Sequence, residues 1–193
     1  MTLTTPRKKL APEPLTKPTF VLRQSLGAPV VADPDRIVTS EAFEDGTLTL
    51  AAQPDVPRNL TVTVTDANAS ITAGLVTVTG ITPQGETVTE AFDIADSLTH
   101  TGAIVFAVVS SVVVSNEAGS AAGSTDTITI GVGNVIGLSS PIDTSAAVKH
   151  VYLGGARVAS PTIARGPNTS GVDVSASTYN GTKELVVFYA PGF

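Results

Sequence analysis

Cysteine and tryptophan are both missing from this 193-residue chain, methionine occurs once and histidine twice. Without cysteine there is no disulfide scaffold, no thiolate metal site and no thiol nucleophile, and such a chain suits assembly in a reducing cytosol. Aromatic residues make up only 5% of the sequence and charged residues 15%. No apolar run approaches the roughly 20 residues that cross a bilayer as a helix. The longest, Ala103–Val109, runs straight into Ser110 and Ser111. The N-terminal stretch MTLTTPRKKLAPEP is basic but lacks the apolar segment of a secretory signal. These absences predict a soluble protein with no membrane partner.

Catalytic signatures are equally scarce. There is no HExxH, CxxC or paired His/Asp spacing, so no metal site is expected. His100 falls in an expected surface turn, Leu98–Gly102, and His150 on an expected strand. The glycines of Gly131–Gly137 follow a GxGxxxG spacing, not the GxGxxG of a dinucleotide fingerprint, and lack its βαβ setting. No GxSxG elbow occurs. Glu86 and Glu90 share a strand face with Val88, Phe92 and Ile94. Glu90 thus interrupts an apolar row and reads as an edge gatekeeper, an inward charge that discourages unwanted strand pairing. Asp66 and Asp126 lie in turns whose oxygens suit calcium, but no EF-hand loop is present. Arg7, Lys8 and Lys9 form the only basic cluster, too small a footprint for nucleic acid. The sequence therefore predicts no catalytic residue, no cofactor and no enzyme.

What the chain does have is Val, Thr, Ala, Ser and Gly in short alternating runs. A core of β-branched side chains favours strands, because branching at Cβ restricts χ1 without crowding a pleated surface. Leu60, Val62 and Val64 alternate with Thr61, Thr63 and Thr65, and the first three are expected to face inward. Gly74–Gly80, extended by Ile81, and Glu86–Ile94 predict a hairpin about Thr82–Gly85. Gly102–Ser115 reads either as one strand buried on both faces or as two strands bent at Ser110 and Ser111. Gly154-Gly155 predicts a two-residue turn, and Asn180-Gly181 predicts a hairpin joining Val172–Ser177 to Lys183–Ala190. Short strands at this spacing predict an all-β fold, a β-sandwich or a barrel, with an antiparallel β-sandwich of immunoglobulin-like or jelly-roll-like type as the leading form.

Residues 1–40 differ from the rest. Six prolines punctuate them, and they carry six Lys/Arg against three Asp/Glu, whereas residues 41–193 carry five against fourteen. They predict an extended N-terminal arm with Arg7, Lys8 and Lys9 as its charged end and Phe20, Leu22 and Leu26 as apolar anchors for a partner. Residues 41–133 are then the sandwich core. Residues 134–193 either complete it with further hairpins or form a satellite lobe.

The stretch Pro57–Gly80 with its continuation Gln84–Phe92 resembles virion structural proteins of tailed bacteriophages. The similarity continues through Val112–Val114, Thr125–Gly131 and Asn180–Tyr189. It is most like a capsid decoration, or head auxiliary, protein. The resemblance implies a small β protein repeated on the capsid surface of the virion and assembled in the host cytoplasm. Its partners would be the major capsid protein and other copies of itself, with a trimer at a threefold axis as one arrangement. Tail, neck and baseplate components belong to the same group and form the alternative, together with a glycan-binding adhesion module. No catalytic residue comes with the resemblance.

Overall fold

The computed structural model describes residues 20–67, 69–95, 98–120, 125–174 and 179–192. Its strands are β1 (Leu22–Ser25), β2 (Asp33–Ala42), β3 (Gly46–Thr47), β4 (Arg58–Thr65), β5 (Ala73–Ile81), β6 (Thr87–Asp93) and β7 (Thr99–Phe106). They continue as β8 (Val108–Ala118), β9 (Thr127–Gly137), β10 (Val148–Leu153), β11 (Ala156–Arg157), β12 (Thr162–Ala164), β13 (Gly171–Asp173) and β14 (Leu185–Tyr189). The protein is all-β, with three antiparallel sheets. One runs β3-β8-β5-β6, one β12-β13-β9-β4-β7 with β2 also on β9, and one β1-β14-β10-β11.

The alternation read from the sequence works as expected in β4. Leu60, Val62 and Val64 are buried while the threonines between them face outward. They meet Val76, Val78, Val112 and Val114 of the β3-β8-β5-β6 sheet and Ile128 and Ile130 of β9 in one hydrophobic cluster. Each fully buried Val or Ile contributes about 1.5–3 kcal/mol, so a core of small side chains needs many strands to supply it. The β5–β6 hairpin pairs from Leu75↔Asp93 to Ile81↔Thr87, and Ile81 extends its strand as predicted. At Gly154-Gly155 both φ angles are positive, 58° and 81°, which fits a primed two-residue turn. Gly102–Ser115 does form two strands, but the break comes at Ala107, where the chain passes from the β9 sheet to the β8 sheet. The Ala107 amide donates to the Ile81 carbonyl there, at 2.7 Å.

A second hydrophobic cluster joins Leu26, Ile136, Leu138, Val151, Val172, Leu185 and Tyr189. The boundary expected after residue 133 therefore falls inside β9, which serves both clusters. The arm expected over residues 1–40 requires correction. β1 pairs with β14 from Leu22↔Tyr189 to Ser25↔Val186, and β2 pairs with β9. Leu22 is half-buried against the second cluster, and Leu26 is 5% exposed inside it, so both anchors serve this chain's own core. Prolines disguise these strands because both lie at sheet margins, where a missing N–H is tolerated. Arg7, Lys8 and Lys9 lie outside the described residues.

The hairpin expected at Asn180-Gly181 also fails. β14 is flanked by β1 and β10, and β13 pairs with β12 and β9, so the two never meet. Residues 175–178 of the expected strand lie outside the described residues. Asn180 Oδ1 instead accepts the amides of Thr182 and Lys183 at 3.1 and 3.0 Å, and the Gly181 amide donates to the Pro29 carbonyl at 2.9 Å. This is a side-chain-stabilised turn that receives the N-terminal segment.

The glycine-rich spacing in β9 has a packing cause. Between Asp33↔Val132 and Val38↔Ile130 the β2 chain bulges, placing Pro34 through Ile37 opposite Gly131. A methyl group at Gly131 would overlap the Asp33 carbonyl oxygen, and one at Gly133 would overlap the Asn59 amide. The bulge also lets two successive residues, Ile37 and Val38, both be buried. Replacing Gly131 by Ala is expected to destabilise the fold by about 3 kcal/mol or more. Urea denaturation checks this; a loss under about 0.5 kcal/mol would mean that β2 gives way freely.

Candidate functional site

The most heavily built polar site is internal. Arg58, first residue of β4, is 0% exposed and heads the fully buried side chains in size. Its Nη2 donates to the Val30 carbonyl at 2.6 Å, and Nη1 lies 3.4 Å from Asp55 Oδ1. Its guanidinium carbon stands 5.5 Å from the centre of the Tyr179 ring, within cation–π range. Asp55 Oδ2 accepts the Val30 amide at 2.8 Å, so both backbone groups of Val30 are held by this ion pair. The Tyr179 hydroxyl donates to the Asn134 carbonyl and accepts the Val174 amide, each at 3.3 Å. Burial pushes the Arg58 guanidinium below its usual range, opposed by Asp55. Burial also pushes the Tyr179 phenol up to about 12. The cluster ties Pro29–Val31, the start of β4 and the Tyr179 segment to one another.

Two further polar groups act on the backbone. Glu90, on edge strand β6, turns inward and its Oε1 accepts the amides of Ala103 and Ile104 on edge strand β7, at 2.6 and 3.1 Å. The expected gatekeeper thus links the edges of two sheets. Gly102 leaves room for its carboxylate, since a Cβ there would overlap Oε2. Asn59, 2% exposed, donates to the Gly102 carbonyl at 3.0 Å and accepts the Val135 amide at 2.9 Å. His100 lies on β7, not in a surface turn, and is half-buried opposite Val62. His150 is exposed on β10. The aspartates considered for calcium are engaged as turn caps. Asp66 accepts the amides of Ser70 and Ile71 at 3.0 and 2.9 Å, and Asp126 accepts that of Ala67 at 2.8 Å. Among the described residues no group of three or more His, Asp or Glu stands in metal-holding geometry.

Two surface clefts carry chemistry that the sequence did not disclose. One, of about 400 Å³, lies over the outward face of β4 and β7, lined by Thr61, Thr63, Thr99 and Thr101 with Asn134 and Asp173. It offers hydroxyl and amide groups suited to a polar ligand. The other, of about 280 Å³, is lined by Lys149, His150 and Arg157 with Ser145 and Ser160, and carries no carboxylate in its lining. The two-residue turn expected at Gly154-Gly155 brings Arg157 opposite Tyr152, three residues past Lys149.

Among the described residues expected to bind a partner, Phe20 is the one left outward, 49% exposed beside Val21. No family model, curated protein or solved structure matches this chain.

Replacing Arg58 by Ala is expected to cost about 3–5 kcal/mol, because it leaves the largely buried Asp55 without its counter-charge and opens a void. Chemical denaturation measures the loss, and a cost near zero would remove the clamp. Tyr179 gives a separate signature in pH. Its folded pKa lies above the ordinary value of 10.0, so below pH 10 both states are neutral and the full stability is present. Between pH 10 and about 12 the unfolded chain ionises first and stability falls, by about 2–3 kcal/mol over the window. Tyr179→Phe should flatten that slope in urea titrations at stepped pH; an unchanged slope would assign it to other groups.

Proposed function

We propose that this protein is a non-enzymatic structural protein of a tailed-bacteriophage virion, a capsid decoration protein built as a β-sandwich. The observation that carries the reading is where its buried polar groups point. Arg58, Asn59 and Ser170, among the buried polar residues, bond main-chain groups that join one segment to another. Such groups stiffen a platform, whereas a catalytic site turns its polar groups toward a cleft. The strand-and-turn resemblance described above supplies the virion assignment.

Attachment, in this reading, falls to residues 1–19 with Arg7, Lys8 and Lys9, continuing into the exposed Phe20-Val21 pair at the entrance to β1. Cationic and apolar groups in one N-terminal segment suit an acidic neighbour with shallow pockets, such as the major capsid protein. Contacts repeated by symmetry then add through effective concentration. A second reading, as a glycan-binding module, draws on the hydroxyl-lined cleft over β4 and β7. Binding on a glycan array that Thr61→Val with Thr101→Val abolishes would favour it.

The test of the main reading is particle occupancy. Residues 2–19 precede every described strand, so their deletion spares β1, whereas a cut through residue 35 would remove it and Leu26. The shorter deletion is expected to fold, by circular dichroism, and to lose most of its copies from purified heads. Undiminished occupancy would end the arm mechanism. Density on the tail axis, by electron cryomicroscopy, would replace the head assignment with a tail component.

A further inference from the structure

Beyond the six Lys/Arg and three Asp/Glu of residues 1–40, charge is unevenly divided along the chain. Residues 41–133 carry one basic residue, the buried Arg58, against eleven acidic ones, while residues 134–193 carry four Lys/Arg against three Asp/Glu. Strand registers show where these charges go. Thr65 and Ala42 both pair with Thr127, Gly46 pairs with Val114, and Leu75 pairs with both Ser115 and Asp93. The ends of β2, β4, β6 and β8 therefore gather at one tip. Glu44, Asp45 and Asp93 are exposed there, and Glu117 is held beside them through its amide on Asp45 Oδ1 at 2.8 Å. Leu98, 52% exposed, adds an apolar contact at the same tip. β9 starts at this tip and ends in the second cluster, eleven residues or about 35 Å away. The cleft of Lys149, His150 and Arg157 belongs to that far end, since Val151, Val158 and Ile163 line it and also pack in the second cluster.

We propose that the basic cleft receives the acidic tip of a second copy, so that molecules associate end to end. The occupant follows from charge complementarity. The cleft has two cationic side chains, Lys149 and Arg157, and no carboxylate in its lining, and the tip offers exposed carboxylates with no Lys or Arg in residues 41–57. Lys149 Nζ donates to the Ala146 carbonyl at 2.7 Å, which holds its charge at the rim, and Asp143 lines the separate cleft on its other side. Within one copy, the length of β9 keeps tip and cleft apart, so the contact forms between molecules. Joining two different surfaces is heterologous, and such contacts give closed rings or open filaments instead of two-fold dimers. The inference stands apart from the virion reading: it concerns self-association of the purified protein, and particle occupancy could fail while it holds.

Sedimentation velocity on the full chain tests it. Association is expected to weaken at least about tenfold between low salt and 1 M salt, where the screening length shrinks to about 3 Å. Lys149→Glu with Arg157→Glu should abolish association, and so should Glu44→Lys with Asp45→Lys. All four sites are exposed, so circular dichroism should remain unchanged. Combining the four substitutions in one chain, which swaps the charges of both surfaces, should restore association. A protein that stays monomeric at low salt and high concentration overturns the proposal. So does association that survives reversal of the cleft, or a four-fold variant that fails to recover.

Discussion

Both hydrogen-bonding edges of Thr127–Gly137 are committed, and the rest of the fold is arranged around that constraint. One edge carries β4 from Arg58↔Ile136 to Thr65↔Thr127. The other is divided, with β2 along its first part and β13 at Gly137 and Ile136. A strand with two partners on one edge must let the first leave before the second arrives. β2 holds this edge as far as Asp33↔Val132 and β13 takes over at Ile136, while the bulge fits β2 over Gly131 and the missing Cβ at Gly133 leaves room for Asn59. The same strand supplies Ile128 and Ile130 to one cluster and Ile136 to the other. Two small cores are thereby made to share a backbone, where two separate domains would each have needed edges of their own.

Shared use of β9 explains the buried ion pair. Where β2 and β13 part company, the chain has backbone groups that no ladder satisfies, Val30 among them. An unpaired buried N–H or C=O costs about 1–3 kcal/mol, so a partner must come from a side chain. Asp55 takes the amide and Arg58 the carbonyl, and Tyr179 covers the guanidinium face. Burying charge carries a desolvation penalty that an apolar substitute would avoid. What an apolar substitute lacks is a donor and an acceptor at the two positions Val30 requires.

The strands that could be read from the sequence are those whose two faces see different surroundings. In β4 and in the β5–β6 hairpin, threonine faces water and valine faces the cluster, so the period-2 signal survives intact. β1 and β2 were illegible for the opposite reason. Prolines and a bulge break their alternation, and their strand character comes from partners more than eighty residues away in β9 and β14. Asn180-Gly181 carried a strong local hairpin signal, but β14 was already flanked by β1 and β10, and tertiary pairing overrode the turn. Arg58 gave no signal of its own, since a lone arginine at the start of a strand looks like any surface cation. Its burial depends on Val30, Asp55 and Tyr179 converging, and only Asp55 is near in sequence.

Charge placement follows from the same economy of residues. Strands built from Thr and Val leave little room for ionisable side chains, so carboxylates accumulate in the turns, as Glu44, Asp45, Asp66 and Asp126 do. Once register fixes which turns lie together, the electrostatic polarity of the molecule is fixed as well. Antiparallel pairing sends every second turn to the same end. Acidic turns that are scattered along the sequence, at residues 44–45, 66, 117 and 126, therefore collect into a single tip without any of them being neighbours in the chain. Beyond Arg58 and the six Lys/Arg of residues 1–40, the basic residues come later, at 149, 157, 165 and 183, after β9 has carried the chain to the other cluster. A field that opposes its two ends is thus a consequence of topology acting on an uneven sequence, and it would vanish if the same residues were threaded through the strands in another order.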